Sequence, residues 1–215
     1  MINFRLLGYP VRIEWMFWLI CGVLGMNLLK VPGQEGIIMM MIWVGVVFFS
    51  ILWHEFGHAF ARKKFREPYS EIVLHGFGGY CAGPGNFTRQ EQMFVSFAGP
   101  LASFILGGIV YFGFKMFGVA HPMVGFFIAQ MLWVNIGWAI INLLPVYPLD
   151  GGQIFAAYMS NKKPSIVPIV GMVVAGAVAA YGLIFMNSLW MAILFGMLAF
   201  QNWQRSQGGR PTRFF

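Results

Sequence analysis

The chain has 215 residues and a net charge of +7; 59% of it is hydrophobic, only 10% is charged, and its mean hydropathy is +0.70. A soluble domain is about 25% charged, so this shortage of charge excludes an ordinary water-soluble protein and points to a membrane protein of several spans. The positive balance does not imply nucleic acid. Twelve of the 14 Lys and Arg sit in short clusters beside apolar runs, where they set topology, and no basic helix or aromatic-interleaved patch is present.

Met1–Arg12 is polar and interrupted by Pro10. It does not read as a cleaved signal peptide, and no small-residue cleavage site follows Trp15–Leu29, so that first span is expected to remain in the mature protein. Gly36–Trp53 predicts a second span that continues as helix through His54–Ala61. Glu67–Gln90 holds Gly76, Gly78, Gly79, Gly83 and Gly85 behind the run Ile72-Val73-Leu74, a density of glycine that predicts strands and tight turns. Gln92–Phe114 is the third predicted span. His121-Pro122 breaks the next apolar stretch, leaving a fourth span over about Met123–Leu144.

Pro164–Gln204 carries no charge. As one straight helix it would be roughly 60 Å long, twice the hydrocarbon thickness, so a break near Met186-Asn187-Ser188 is expected to divide it into two spans. With six spans, Arg5, Arg12, Arg62, Lys63, Lys64, Arg66, Arg89, Lys162, Lys163, Arg205, Arg210 and Arg213 fall on one side, and only Lys30 and Lys115 on the other. Both termini are therefore expected in the cytosol. The predicted fold is an all-α polytopic membrane protein of about six transmembrane helices, with a small β-like, membrane-associated segment between helices 2 and 3. It forms one integral membrane domain over residues 1–215: a core over about 36–152, the glycine-rich segment over about 67–90, and C-terminal helices over about 164–204. Cys21 and Cys81 are read as free thiols, because a span and a cytosolic segment would hold them.

The second span contains His54-Glu55-Phe56-Gly57-His58. Residues four apart share a helix face, so both imidazoles can reach one Zn²⁺ at about 2.0–2.1 Å. Glu55 lies beside them, placed to take a proton from water at the metal. Two His and a Glu in an otherwise apolar helix are costly at membrane depth unless they have a partner or a function. A third ligand, carboxylate or His, is expected from a distant span. Asp150, the single aspartate of the chain, sits at the end of the fourth span in Asn142-Leu143-Leu144-Pro145-Val146-Tyr147-Pro148-Leu149-Asp150-Gly151-Gly152.

His54–His58 in one span, with Asn-x-x-Pro and Leu-Asp-Gly closing another, resembles the site-2 protease family of intramembrane zinc metalloproteases. Ala98-Gly99-Pro100-Leu101 and Gly76-Phe77-Gly78-Gly79 resemble it too, and the matches run from about Phe48 to Gly152. The resemblance implies a minimal member without PDZ or CBS domains, holding one Zn²⁺ per chain on His54, His58 and Asp150, with Glu55 as catalytic base. Asn142 would contact substrate or orient the site, and Gly76, Gly78 and Gly79 would offer an edge strand to an unwound substrate. Many relatives carry Asn where Ser103 stands. The implied activity is endoproteolysis of transmembrane protein substrates near the cytosolic face (regulated intramembrane proteolysis), in the plasma membrane of a prokaryote. The alternative is a non-proteolytic membrane metal-binding or transport protein; a rigid ligand set and few other ionisable groups along a path disfavour it. His75 is read as a polar loop residue, His121 as structural, and Asn135 as an interhelical hydrogen-bonder.

Overall fold

The computed structural model describes residues 1–118 and 121–208. Arg210 and Arg213, two of the charges on which the expected topology rests, lie outside the described residues. The chain is mostly helical with one small β-sheet. In order it forms β1 (Ile2–Leu6), β2 (Tyr9–Ile13), α1 (Trp15–Gly25), α2 (Gln34–Lys64), β3 (Glu71–His75), β4 (Gly78–Ala82), α3 (Arg89–Phe117), α4 (Pro122–Leu132), α5 (Trp138–Asn142), α6 (Asp150–Met159), α7 (Ile166–Ile184) and α8 (Leu189–Ser206). Among the described residues, four helical stretches are long and apolar enough to cross a membrane: α2, α3, α7, and Pro122–Asn142, which joins α4 to α5 through a π-helical turn at Trp133–Gly137. The described residues of the chain fold as two compact units, one drawn from within 1–86 and 98–140, the other from within 87–97 and 141–208.

In the first unit the sheet has the order β1-β2-β3-β4. Its outer pairs are antiparallel, while β2 and β3 run parallel with Val11 beside Ile72 and Ile13 beside Leu74. Ile72, Val73 and Leu74 are all buried, as a central strand covered on both faces requires. Strand β2 alternates, with Tyr9, Val11 and Ile13 turned to a core that Phe17, Val46, Val47 and Phe56 share. The N-terminal hairpin corrects the all-α expectation, which placed β structure only between helices 2 and 3. Pro10 concealed it. The proline lies outside Val11–Ile13, the stretch that pairs with β3, so its missing N–H costs that ladder nothing. Leu7 and Gly8 both have positive φ and make the tight turn.

Helix α2 is about 46 Å long at 1.5 Å per residue, more than a bilayer core of about 30 Å, so its basic last turn (Arg62, Lys63, Lys64) extends past the apolar part. It packs on α1, β3, β4 and α4. Gly57 leaves no room for a Cβ, which would lie 2.5 Å from the Ala98 carbonyl oxygen and 2.9 Å from the Ala102 Cβ. Small residues thus bring two apolar helices into close contact, and the Trp53 indole donates to the Ala102 carbonyl at 3.0 Å. Asn135, fully buried in the π-helical turn, donates to Ser50 Oγ at 2.8 Å and to the Met131 carbonyl at 2.9 Å, the interhelical bond expected of it. His121 caps α4, its Nδ1 accepting from Met123 N–H at 3.2 Å.

In the second unit α7 and α8 pack along each other around Ala175, Phe195 and Leu198, with α6 against α7. The helices part at Phe185–Ser188, where Asn187 has positive φ and Ser188 Oγ accepts from Met191 N–H. That is where a break was expected.

Candidate active site

Helix α2 places His54, Glu55 and His58 on buried turns. The two Nε2 atoms face each other 3.2 Å apart. Two nitrogens at about 2.0–2.1 Å from one tetrahedral zinc lie roughly 3.3–3.4 Å apart, so the pair has the separation one ion requires. Asp150, the carboxylate expected from sequence to complete the set, is buried in the second unit. A carboxylate with two imidazoles is the donor set of many catalytic zinc sites, which leave a fourth position open. The residues present therefore fit the metal.

Further residues of the first unit fix this arrangement. Ser103 Oγ lies 3.1 Å from His54 Nδ1, buried with it. A partner on the second ring nitrogen orients a ligating imidazole, and the Ser103 hydroxyl gives His54 such a polar contact. Gly99 stands against both rings; a Cβ there would lie 2.6 Å from His54 Nε2 and closer still to His58. Only hydrogen fits between α3 and the two imidazoles. Sequence reasoning noticed Gly99 and Ser103 as motif positions but gave neither this role, because nothing in their spacing shows which side chains they face.

The glycine-rich hairpin is β3 and β4 joined at Gly76-Phe77. Strand β4 is an edge, bonded to β3 alone. Its Gly79 abuts Glu55: a Cβ would fall 2.7 Å from both Cγ and Oε1 of the glutamate. Gly78 has φ of 132°, a conformation L residues rarely adopt, and open space around it. Gly76 faces Met16 of α1 instead. Of the three glycines singled out from sequence, Gly79 meets the glutamate, Gly78 opens β4 with a positive φ, and Gly76 sits in the turn and packs on the first helix. Cys81, also on β4, is a half-buried free thiol. Burial pushes it up to about 12, with the negative charges of Glu55 and Glu67 adding to the shift and Arg62 and Ser70 opposing it. His75 is held below its ordinary range by burial, against an opposing pull from Glu14.

Asp150 was expected at the end of the fourth span. The structure ends that helix at Asn142 and begins α6 at Asp150. The buried carboxylate thus stands in the first turn of a helix, where the N-terminal dipole favours negative charge. Gly151 and Gly152 press on the backbone of Leu143, Val146 and Tyr147, so the Asp-Gly-Gly run is compact because a side chain at either position would collide with the preceding loop. Asn202 of α8 donates to the Tyr147 carbonyl at 2.7 Å and ties that loop down. Asn142 is half-buried at the helix end.

These features define a membrane-helix protein with a His-Glu-x-x-His pattern whose two imidazoles face each other. The model of peptidase family M50 matches residues 42–121 and 118–178, and the chain belongs to that family, the site-2 proteases. It is 25% identical over 199 residues to the zinc metalloprotease MJ0392 of Methanocaldococcus jannaschii, covering 88% of this chain and 56% of that one. It is 30% identical over 194 residues to the putative zinc metalloprotease Rip3 of Mycobacterium tuberculosis, covering 84% and 49%. The chain thus spans about half the length of these curated relatives. Its fold resembles the solved site-2 protease from Methanocaldococcus jannaschii, with a TM-score of 0.66, 24% identity and coverage of 95% and 94%.

Proposed function

We propose that this protein is an intramembrane zinc endopeptidase that hydrolyses peptide bonds within transmembrane segments of membrane-protein substrates, near the cytosolic face. The observation that carries the reading is the pair of facing His54 and His58 nitrogens, 3.2 Å apart, with Glu55 beside them on a helix apolar enough to cross a membrane. His54, His58 and Asp150 would hold one Zn²⁺ per chain. The bound ion supplies Lewis acidity, which polarises a peptide carbonyl and acidifies water. Glu55 accepts the proton of the attacking water on its carboxylate and passes it to the departing amine. Ser103 keeps the His54 ring oriented through both steps.

Arg62 lies about 6 Å of helix rise beyond His58. This closeness to the basic end of α2 supports water access from the cytosol. Both termini are cytosolic in this reading, with α1 and α8 completing six spans in the plasma membrane of a prokaryote. The whole chain acts as one embedded protease domain, cleaving its substrates as a step of regulated intramembrane proteolysis. A substrate helix must unwind before cleavage, and its freed N–H and C=O groups cost several kcal/mol in lipid unless something pairs them. The open edge of β4 offers that pairing by strand addition, with Gly78 and Gly79 allowing close approach, Gly76 holding the turn and Asn142 contacting the substrate.

The test is cleavage of a model transmembrane substrate in detergent by wild type and Glu55→Gln, with and without a chelator, beside zinc flux into proteoliposomes. Zinc-dependent cleavage that Glu55→Gln abolishes supports the reading. Flux without cleavage would establish the transporter instead.

A further inference from the structure

Lys63 and Lys64 are exposed, as charges that merely set topology should be, but their neighbour Arg62 is buried. Its guanidinium Nη2 donates to Glu67 Oε1 at 2.8 Å, and the Glu67 side chain is 2% exposed. The same Oε1 accepts the Gly85 N–H at 2.8 Å. Gly83 is packed on this pair so closely that a Cβ would lie 2.6 Å from Arg62 Nη2, from Glu67 Oε1 and from the Tyr69 carbonyl oxygen. Glu67 and Tyr69 lead into β3, and Gly83 and Gly85 lead out of β4. The ion pair therefore clasps both feet of the hairpin.

What the clasp is fastened to decides its meaning. Arg62 follows Glu55 by seven residues and His58 by four, a spacing that puts all three on one face of α2. The hairpin is held to that face at two levels: at its feet by Arg62, and on β4 by Gly79 against Glu55. The clasp is a poor stability device. A buried ion pair is often no better than apolar packing of the same volume, and Glu67 Oε2 is buried with no hydrogen-bond partner among the described residues. A costly and half-satisfied pair at this place is better explained by geometry.

We propose that Arg62 and Glu67 are positioning residues whose buried pair sets the register of β4 along α2, and with it the peptide bond of a docked substrate strand that is presented to Glu55. The proposal rests on the protease reading above and adds a specificity determinant to it. A substrate strand bonded to β4 can move only as β4 moves, and a slip of one residue shifts a strand by about 3.3 Å. That exceeds the roughly 1 Å of misplacement that costs about 100-fold in rate. Loosening the clasp therefore lowers turnover and also lets neighbouring bonds be cut.

The experiment uses full-length, zinc-loaded protein in vesicles, with Arg62→Glu, Glu67→Arg, the double exchange and the milder Glu67→Gln. Each is given a model transmembrane substrate and a short flexible peptide carrying the same scissile sequence; products are mapped by mass spectrometry, and zinc content is measured. The single reversals should lower cleavage of the transmembrane substrate about 10- to 100-fold and spread the cut over neighbouring bonds, at unchanged zinc content. The flexible peptide should be cut within about threefold of the wild-type rate, and the double exchange should recover about tenfold of the loss along with a single cut. Glu67→Gln, which keeps an acceptor for Gly85, should fold even if the reversals do not, and should still broaden the cut. A single unshifted cut in every variant, or an equal loss on both substrates, would overturn the proposal. Wild type that cleaves neither substrate would overturn the protease reading, and this inference with it.

Discussion

Replacing Gly79 with Val tests the contact between the edge strand and Glu55, the proposed catalytic base. A Cβ at this position falls 2.7 Å from Glu55 Cγ and Oε1 and 2.9 Å from Cδ. Apolar contacts settle near 3.5–4.0 Å, so the overlap is about 1 Å before the valine methyls are counted. Glu55 is 3% exposed. Either its carboxylate or β4 must therefore shift by about that amount. Misplacement on this scale costs roughly 100-fold in turnover, equivalent to about 2.7 kcal/mol of barrier. The three atoms nearest that Cβ all belong to Glu55 and none to His54 or His58, so zinc should remain bound. The assay is single-turnover cleavage of a model transmembrane substrate by zinc-replete protein, with Gly45→Val as control because a Cβ there meets nothing within 4 Å. Wild-type turnover in Gly79→Val would refute the claim that β4 sets the position of Glu55.

His54→Ala, His58→Ala and Asp150→Ala should each lose zinc while Glu55→Gln keeps it; metal analysis decides, and full occupancy in Asp150→Ala would remove that residue from the ligand set. Ser103→Ala, which deletes the partner 3.1 Å from His54 Nδ1, should weaken zinc binding about 10- to 100-fold in a competition titration with the fold intact. Cys81 should resist alkylation in a Cys21→Ser background. With its pKa raised to about 12, the thiolate is scarce at pH 8, and the rate should be about a thousandfold below that of an unhindered cysteine, then rise with pH. The sign for stability follows. The unfolded thiol ionises near its ordinary 9.0 while the folded one holds its proton, so the contribution is intact below pH 9 and is lost as pH rises towards 12. Equal alkylation rates in native and denatured protein would show the thiol to be exposed.

Membrane character, the helix break at Phe185–Ser188 and the His54–His58 pair were legible because each is a local property. Hydropathy is read residue by residue, a helix puts positions four apart on one face, and two membrane crossings need a turn between them. Asp150 could be singled out because no other aspartate was available. The start of a new helix at that residue could not, since residues 143–149 follow an apolar span without a break in hydropathy. The N-terminal hairpin also escaped notice. Strand pairing is non-local: the burial of β2 comes from its partner β3, some sixty positions along the chain, and a short polar segment holding a proline carries no record of that partner.

The same distinction separates the residues of the site. Sequence alone determined that two imidazoles and a carboxylate share one apolar helix, because helical geometry is fixed by the backbone. Only tertiary structure decided that Gly99 and Ser103 face the imidazoles, that Gly79 meets Glu55, and that Arg62 is buried against Glu67 while Lys63 and Lys64 stay in solvent. These are contacts between elements distant in sequence. They depend on how closely two backbones approach and on which face each turns inward, and a glycine or a serine looks the same in a chain whatever it will touch.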